Sequence, residues 1–429
     1  MALSYSIPYG KTTIPFTPPD NRTIQLIEAK PFPAPPDQAK TVTDALNSPI
    51  NSPTLSELTK DVKKILIITN DNTRPMPSRV TIPAIIQSFY HPEDKYDITI
   101  LIANGLHRAM TQAEMDEQFG RELTGRYRFV NHRAADETQL AYHGRLSTGS
   151  ELWLNKLVGE SDLVISEGFI EQHFFAGYSG GRKSILPGVA GAQTIMRNHC
   201  PANISDERSI GANLDGNPIH EECAEAALAA PLGFILNVAL NDRKQIIRAF
   251  AGRPVDAHLA GCRFVRELMS VKAVPTDIVI TSNNGYPLDR NLYQAVKGID
   301  TAARVVKDGG VIIAAAGCAD GVGHASFGEQ LRRCASKEQL FRNMSEPAGE
   351  ADKWQVQILA RAMRRSTVIL VNGTLTKDEV ESMLFVYAAD MAEAFEKALE
   401  IAGKGASVSV MPEGPTVIPI VETHIHQWR

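Results

Sequence analysis

Short apolar runs alternate with helical periodicity along the first part of the chain. Lys64-Ile-Leu-Ile-Ile-Thr-Asn70 predicts a buried strand and Ile82 to Tyr90 a helix. Tyr96 to Ala103 predicts the next strand, closing on Asn104-Gly105, and Thr111-Gln-Ala-Glu114 has the capping-box spacing that opens a helix. Asp162 to Ser166 is a further short strand. After Pro275 the pattern restarts, with strands at Asp277 to Thr281, Gly310 to Gly317 and Thr367 to Val371. Val408 to Met411 reads as a final strand before a Pro/Gly-broken tail. Helices are expected over Leu288 to Val306, in stretches through Arg365, and over Met391 to Ala402. Strands separated by helices imply an α/β fold with parallel, helix-covered sheets. Residues 15–55, rich in Pro, Ser and Asn, predict an irregular surface segment. No internal repeat or low-complexity stretch is evident.

At 429 residues the chain is too long for one ordinary core, so two α/β domains are expected, each a largely parallel sheet covered by helices. We place an N-terminal domain at 1–268 and a C-terminal domain at 284–405, divided near a helical segment around Cys262 to Lys272. The tail 411–429 is expected to return to the first domain. The hydrophobic and charged fractions, 43% and 22%, are those of a globular protein, and the net charge of -5 points to neither nucleic acid nor an anionic membrane as partner. No apolar run reaches the roughly 18 residues of a membrane span, and the N-terminus lacks a secretory pattern. Five scattered cysteines without a Cys-x-x-Cys pair fit a reducing cytoplasm.

In parallel α/β sheets ligands sit beyond the carboxyl ends of the strands, and three motifs fall there. Asp71-Asn72-Thr73-Arg74-Pro follows the first strand, and Asn104-Gly-Leu-His107-Arg follows the second. Glu167-Gly168 and a glycine-dense loop follow the third. That loop, Gly177-Tyr-Ser-Gly-Gly-Arg-Lys183-Ser, carries one lysine with His173 before it and His199 after it. It nearly matches the phosphate loop of nucleotide hydrolases, but Arg182 stands where glycine is needed. A phosphate cradle and a surface turn both remain open for it. Asp71 to Arg74 fits a helix cap as well as a ligand segment, although the planar fork of Arg74 suits a carboxylate or phosphate. His107 gains weight by sharing the strand-end face with Arg74 and His173. His132, His143, His220, His258, His324, His424 and His426 lack such company and read as structural or solvated. In the second half, Tyr293-Gln294-Ala-Val-Lys297 puts a glutamine and a lysine on one helical face, suited to a carboxylate or simply to solvent. Gly317-Cys-Ala-Asp-Gly321-Val-Gly323 reads as a strand-end loop without the third glycine of a dinucleotide fingerprint.

Together these motifs resemble the nickel-dependent lactate racemase family, whose members isomerise 2-hydroxy acids. The resemblance spans nearly the whole chain and is carried above all by the block from His173 through Lys183 to Asn198-His199. It implies a cofactor, nickel(II) held in a pincer of pyridinium-3,5-bisthiocarboxylate mononucleotide. His199 is then the protein's metal ligand, and Lys183 the residue able to bind the cofactor covalently. Asp71, Asn72, Thr73 and Arg74 line the cofactor. The implied reaction is racemisation by proton-coupled hydride transfer through a 2-keto acid, with His107 and His173 as the two bases. Arg74, Tyr293, Gln294 and Lys297 hold the substrate carboxylate. The active site is expected in the interdomain cleft, with cofactor-synthesis proteins as loading partners. The resemblance leaves open the particular 2-hydroxy acid and the oligomeric state.

Two other functions are compatible with parts of the sequence. One is phosphoryl transfer through a divergent phosphate loop at Gly177 to Ser184. The other is a non-catalytic protein that binds the nickel cofactor, against which the presence of both His107 and His173 counts.

Overall fold

A computed structural model describes residues 3–20, 22–344 and 350–421. The chain divides into two compact units. One comprises Pro31–His199 and Arg208–Glu267. The other comprises the described residues within Met1–Lys30, Cys200–Glu207 and Leu268–Arg429. Residues 3–20, 22–30 and 200–207 therefore group with the C-terminal segment.

Each unit is built on a six-stranded sheet covered by helices. In the first the strand order is Ile246–Gly252, Leu232–Leu240, Leu163–Phe169, Lys64–Asn70, Asp97–Ala103 and Arg128–Asn131. Every neighbouring pair is parallel except Ile246–Gly252 against Leu232–Leu240. In the second the order is Val386–Ala388, Ser366–Val371, Val306–Ala315, Thr276–Ser282, Val408–Met411 and Ile24–Leu26, all parallel. Ile65, Ile67, Ile100, Ile102, Ile165 and Phe234 anchor the first core, and Ile278, Ile280, Val311, Ile313, Ile369 and Val410 the second. Full burial of such a side chain contributes roughly 1.5–3 kcal/mol, which is why central strands read as unbroken apolar runs.

Several local expectations are corrected. Residues 15–55 are not irregular throughout. Thr12–Phe16 forms a hairpin with Tyr5–Tyr9, Ile24–Leu26 is an edge strand, and Gln38–Asn47 is a helix capped by Asp37. Its buried Val42 and Leu46 stand one helical turn apart, a pattern masked by the flanking prolines. The helix expected over Ile82 to Tyr90 spans Ser78–Gln87, and that expected over Leu288 to Val306 is confined to Leu292–Ala303, where Asn291 caps it. Glu167 and Gly168 do not follow their strand but lie within Leu163–Phe169. The helix ending near Lys272 stops at Met269, and Ser270–Ala273 is a strand. It pairs with Ile418–Val421, so Val408–Met411 is not the last strand. Such pairing between distant segments overrides local periodicity. His424 and His426 lie outside the described residues.

Candidate active site

In the Pro31–His199 unit the strand order reverses between Lys64–Asn70 and Leu163–Phe169: later strands add on one side, then on the other. A ligand crevice is expected at the carboxyl end of that junction. Asp71 opens the loop after the first of these strands. Its buried carboxylate accepts from Thr73 N at 3.1 Å and from Thr73 Oγ1 at 2.5 Å, and lies 2.7 Å from His107 Nδ1. Burial alone would raise the Asp71 pKa, but the hydrogen bond and charge of His107, with Arg74, hold it below the usual value. Asp71 is thus not a helix cap; the helix Ser78–Gln87 begins after Pro77 with no side-chain cap. With Nδ1–H donating to Asp71, Nε2 is the basic nitrogen of a neutral His107. The side chain is 44% exposed, open to a ligand.

The rest of the loop is braced from behind. Gln118 Nε2 donates to the Asn70 and Asp71 carbonyls, each at 3.3 Å, and Asn72 Nδ2 donates to Glu114 at 3.1 Å. Glu114 also pairs with Arg108 and closes the capping box with Thr111. The Asn72 amide and the Thr73 hydroxyl therefore serve the loop itself, whereas Arg74 lines a hollow with Asn72, Met76, Glu114, Glu117 and Gln118.

Phe175 organises the second cluster. This buried ring meets His173 edge-on at 4.5 Å between centroids and His199 edge-on at 5.1 Å, and Lys183 Nζ lies 5.7 Å from its centre. His173 ends the two-residue strand Gln172–His173, paired to Gly177–Tyr178. Ala176 N–H donates to His173 Nδ1 at 3.3 Å, which assigns the proton of the neutral ring to Nε2. Lys183 Nζ lies 3.5 Å from that Nε2. His199 closes the helix Ala192–Asn198 and is buried. Burial, reinforced by the charge of Lys183, pushes its pKa down to about 3, so the imidazole is neutral. The His107 turn is tied to the same block, because Gly105 N–H donates to Gly188 O and Gly188 N–H to Lys183 O, each at 3.0 Å.

The glycine loop is neither an open cradle nor a surface turn. A Cβ at Gly177 would fall 2.2 Å from Asn213 O, and one at Gly181 would fall 2.7 Å from the His258 ring; both positions have positive φ. The glycines let the loop pack against the protein's own chain. Gly181 N–H goes to Asn237 Oδ1 at 2.8 Å, and Ser184 Oγ to Gly181 O at 2.9 Å. Arg182 is buried, donating to the carbonyls of Tyr178 and Ala176 and standing 3.0 Å from His258 Nε2. The serine a phosphate loop would offer to magnesium, and an N–H it would offer to phosphate, are thus already engaged.

Two supports escaped the sequence analysis. Asn237, the one polar residue in the apolar strand Leu232–Leu240, holds the glycine loop; that strand had not been predicted. Glu167 is buried at the strand junction and accepts from Thr69 Oγ1 at 2.5 Å, Ser78 Oγ at 2.6 Å and Thr81 Oγ1. Burial raises its pKa against the three hydroxyls. These bonds clamp the helix Ser78–Gln87 onto the sheet on either side of the Asp71 loop. Glu167→Ala leaves three buried hydroxyls without their acceptor and should cost about 2–4 kcal/mol. Denaturant unfolding checks this; an unchanged midpoint would show that the clamp carries no load.

In the other unit, Tyr293, Gln294 and Lys297 lie on the helix Leu292–Ala303, which follows the strand Thr276–Ser282. Its first amides are occupied. Leu292 N–H and Tyr293 N–H donate to the carbonyls of Gly321 and Val322, each at 3.1 Å, and Gln294 N–H to Asn291 Oδ1 at 3.0 Å. An anion at this helix start would therefore be held by side chains. The Gly317 to Gly323 loop covers the start of this helix, and His324, read as structural or solvated, stacks on Tyr293.

Comparison with known proteins bears on the whole chain. Residues 9–211 match the family model of the lactate racemase N-terminal domain, and residues 271–419 that of the lactate racemase C-terminal domain. The chain is 41% identical over 417 residues to a lactate racemase from Thermoanaerobacterium thermosaccharolyticum, covering 96% of this chain and 98% of that one. It is 39% identical over 421 residues to a lactate racemase from Lactiplantibacillus plantarum, covering 97% and 99%. The solved lactate racemase apoprotein from T. thermosaccharolyticum superposes with a TM-score of 0.94 over 97% of this chain and 100% of that one. A Thermotoga maritima protein at 17% identity shares the fold, with a TM-score of 0.60 over 92% and 100%.

Proposed function

The chain belongs to the lactate racemase family and is a racemase, and from that premise we propose that it interconverts the enantiomers of a small 2-hydroxy carboxylate, with lactate the first candidate, by proton-coupled hydride transfer. The observation that carries the mechanism is a pair of histidines in one unit, His107 with Nδ1 held by the Asp71 carboxylate and His173 at the glycine loop beside Lys183. At each step one of them is a neutral imidazole whose unprotonated ring nitrogen accepts the proton, and the other an imidazolium that gives one. A racemase needs one group to take the substrate hydroxyl proton and another to return it from the opposite side. His107 takes that proton in one direction and His173 in the other. Asp71 holds the imidazolium that forms on His107, as a carboxylate does for a catalytic histidine.

The residues fit the family's nickel-pincer nucleotide. A metal ligand must be a neutral imidazole, and His199 is one, buried beside Lys183. Among the described residues no group of three His, Cys, Asp or Glu side chains is arranged for a metal, and a cofactor that brings its own donors would need only one ligand from the protein. His199 would ligate nickel, Lys183 would supply the amine for attachment, and Phe175 would wall the site. When bound, the group supplies a hydride acceptor and donor. Arg74 is a candidate for the carboxylate, as are Gln294 and Lys297, and Asp71 to Arg74 form the loop proposed to lie beside the nucleotide.

Racemisation of D- and L-lactate by protein made in cells that supply the cofactor tests the activity. Substrate deuterated at the α-carbon should keep most of its label through racemisation in ordinary water. Release of deuterium at every turnover would replace hydride transfer with carbanion chemistry.

A further inference from the structure

The helix that carries Tyr293, Gln294 and Lys297 is held at its start by an arrangement around one aromatic ring, with Phe327 buried beneath it and His324 on its solvent side. The imidazole of His324 stacks on Tyr293 with centroids 4.0 Å apart and planes 16° apart, and Phe327 meets the same ring edge-on at 5.4 Å. Gln355 Nε2 donates to Tyr293 O at 2.5 Å. His324 is itself fixed, since its Nδ1 lies 3.0 Å from Asp352 Oδ1.

Asp352 holds that position against its local preference. It opens the helix Lys353–Arg365, where an aspartate ordinarily caps the first turn, yet its side chain makes no cap bond. Its backbone has φ +62°, a left-handed conformation that costs a non-glycine residue free energy. The carboxylate is largely buried, and the bond to it raises the His324 pKa, opposed by burial. Loop and helix are knitted together as well. The carbonyls of Gly321 and Val322 receive the first two helix amides, and a Cβ at Gly323 would fall 2.8 Å from Asn291, the helix cap. Strain and a forgone cap at one residue, both in favour of a histidine beneath a tyrosine, mark a device for fixing that ring.

We propose that the Asp352–His324 pair positions Tyr293, and with it the first turn presenting Gln294 and Lys297, for the substrate carboxylate. His324 and Asp352 are positioning residues; the chemistry belongs to other groups. The proposal rests on the carboxylate role of Tyr293, Gln294 and Lys297 given above.

The test uses cofactor-loaded enzyme with lactate. His324→Ala should raise KM by about three- to tenfold, the equivalent of one lost aromatic stacking contact, with kcat within about twofold. His324→Phe, which keeps a flat ring against Tyr293, should return KM to within about twofold of the parent. Asp352→Ala should raise KM as His324→Ala does, and the double variant should be no worse than the worse single one. An unchanged KM in His324→Ala, a loss confined to kcat, additive effects in the double variant, or no rescue by Phe would each overturn the proposal. Lys297→Ala run in parallel separates the two levels. If it leaves KM unchanged, the carboxylate role fails; if it raises KM while His324→Ala does not, only the positioning role fails. Should His324→Ala not fold, Asp352→Ala and His324→Phe decide by the same criteria.

Discussion

Replacement of His107 or His173 by Ala should lower racemisation in both directions by roughly 100-fold or more, the usual loss when acid/base catalysis is removed. Both directions fall because each histidine serves as base for one enantiomer and as acid for the other. The two sites differ in a way that sharpens the expectation. His107 depends on Asp71, 2.7 Å from Nδ1. Asp71→Asn keeps the size of the side chain but loses the charge and offers the ring a donor or an acceptor indifferently. It should reduce turnover by at least about tenfold, through an imidazole left in the wrong tautomer. The His173 ring stands instead against Ala176 N–H and Lys183. The loss from Asp71→Asn should therefore vanish in a His107→Ala background and persist beside His173→Ala. Nickel content should stay at the parental level in every one of these variants. Near-normal turnover in His107→Ala or His173→Ala would remove the two-base assignment.

Most central strands of both sheets were legible, Leu232–Leu240 excepted, because burial on both faces leaves unbroken apolar runs such as Ile65 to Ile68 and Val311 to Ala315. The Thr111 capping box was legible because its chemistry is local. What escaped depends on distant partners. Ser270–Ala273 is a strand only because Ile418–Val421 lies beside it. The candidate residues were visible as types at strand ends, but not their engagements. Asp71 read as a cap or a ligand until His107 stood against it, and the glycines read as a cradle or a surface turn until Asn213 and His258 filled the space beside them. Phe175 gave no sign in a Phe-Phe pair, since its importance lies in three neighbours from different parts of one block. Glu167 was passed over as the start of a motif, because the hydroxyls that need it come from Thr69, Ser78 and Thr81, nearly a hundred positions earlier in the chain.

His199→Ala should yield protein purified without stoichiometric nickel, even from cells that supply the cofactor, because it deletes the one imidazole assigned to the metal. Folding should change little. The ring is buried against Phe175 with its pKa pushed down to about 3, so no charge is lost with it, only a modest volume at the end of a seven-residue helix. Lys183→Ala tests a different property. Intact-mass measurement should show no covalent adduct, whatever nickel is retained through His199. The same substitution takes away the amine 3.5 Å from His173 Nε2, so the ring loses its partner on the nitrogen assigned to proton transfer. In the parent, attachment through Lys183 would convert that amine into a neutral amide-like group that cannot become an ammonium. The proton on His173 would then be exchanged with substrate rather than with a neighbouring cation. Loss of nickel in His199→Ala alongside loss of adduct, but not of all nickel, in Lys183→Ala is the expected pair of results. Full nickel in purified His199→Ala would remove that residue from the metal, and an adduct persisting in Lys183→Ala would place the attachment elsewhere.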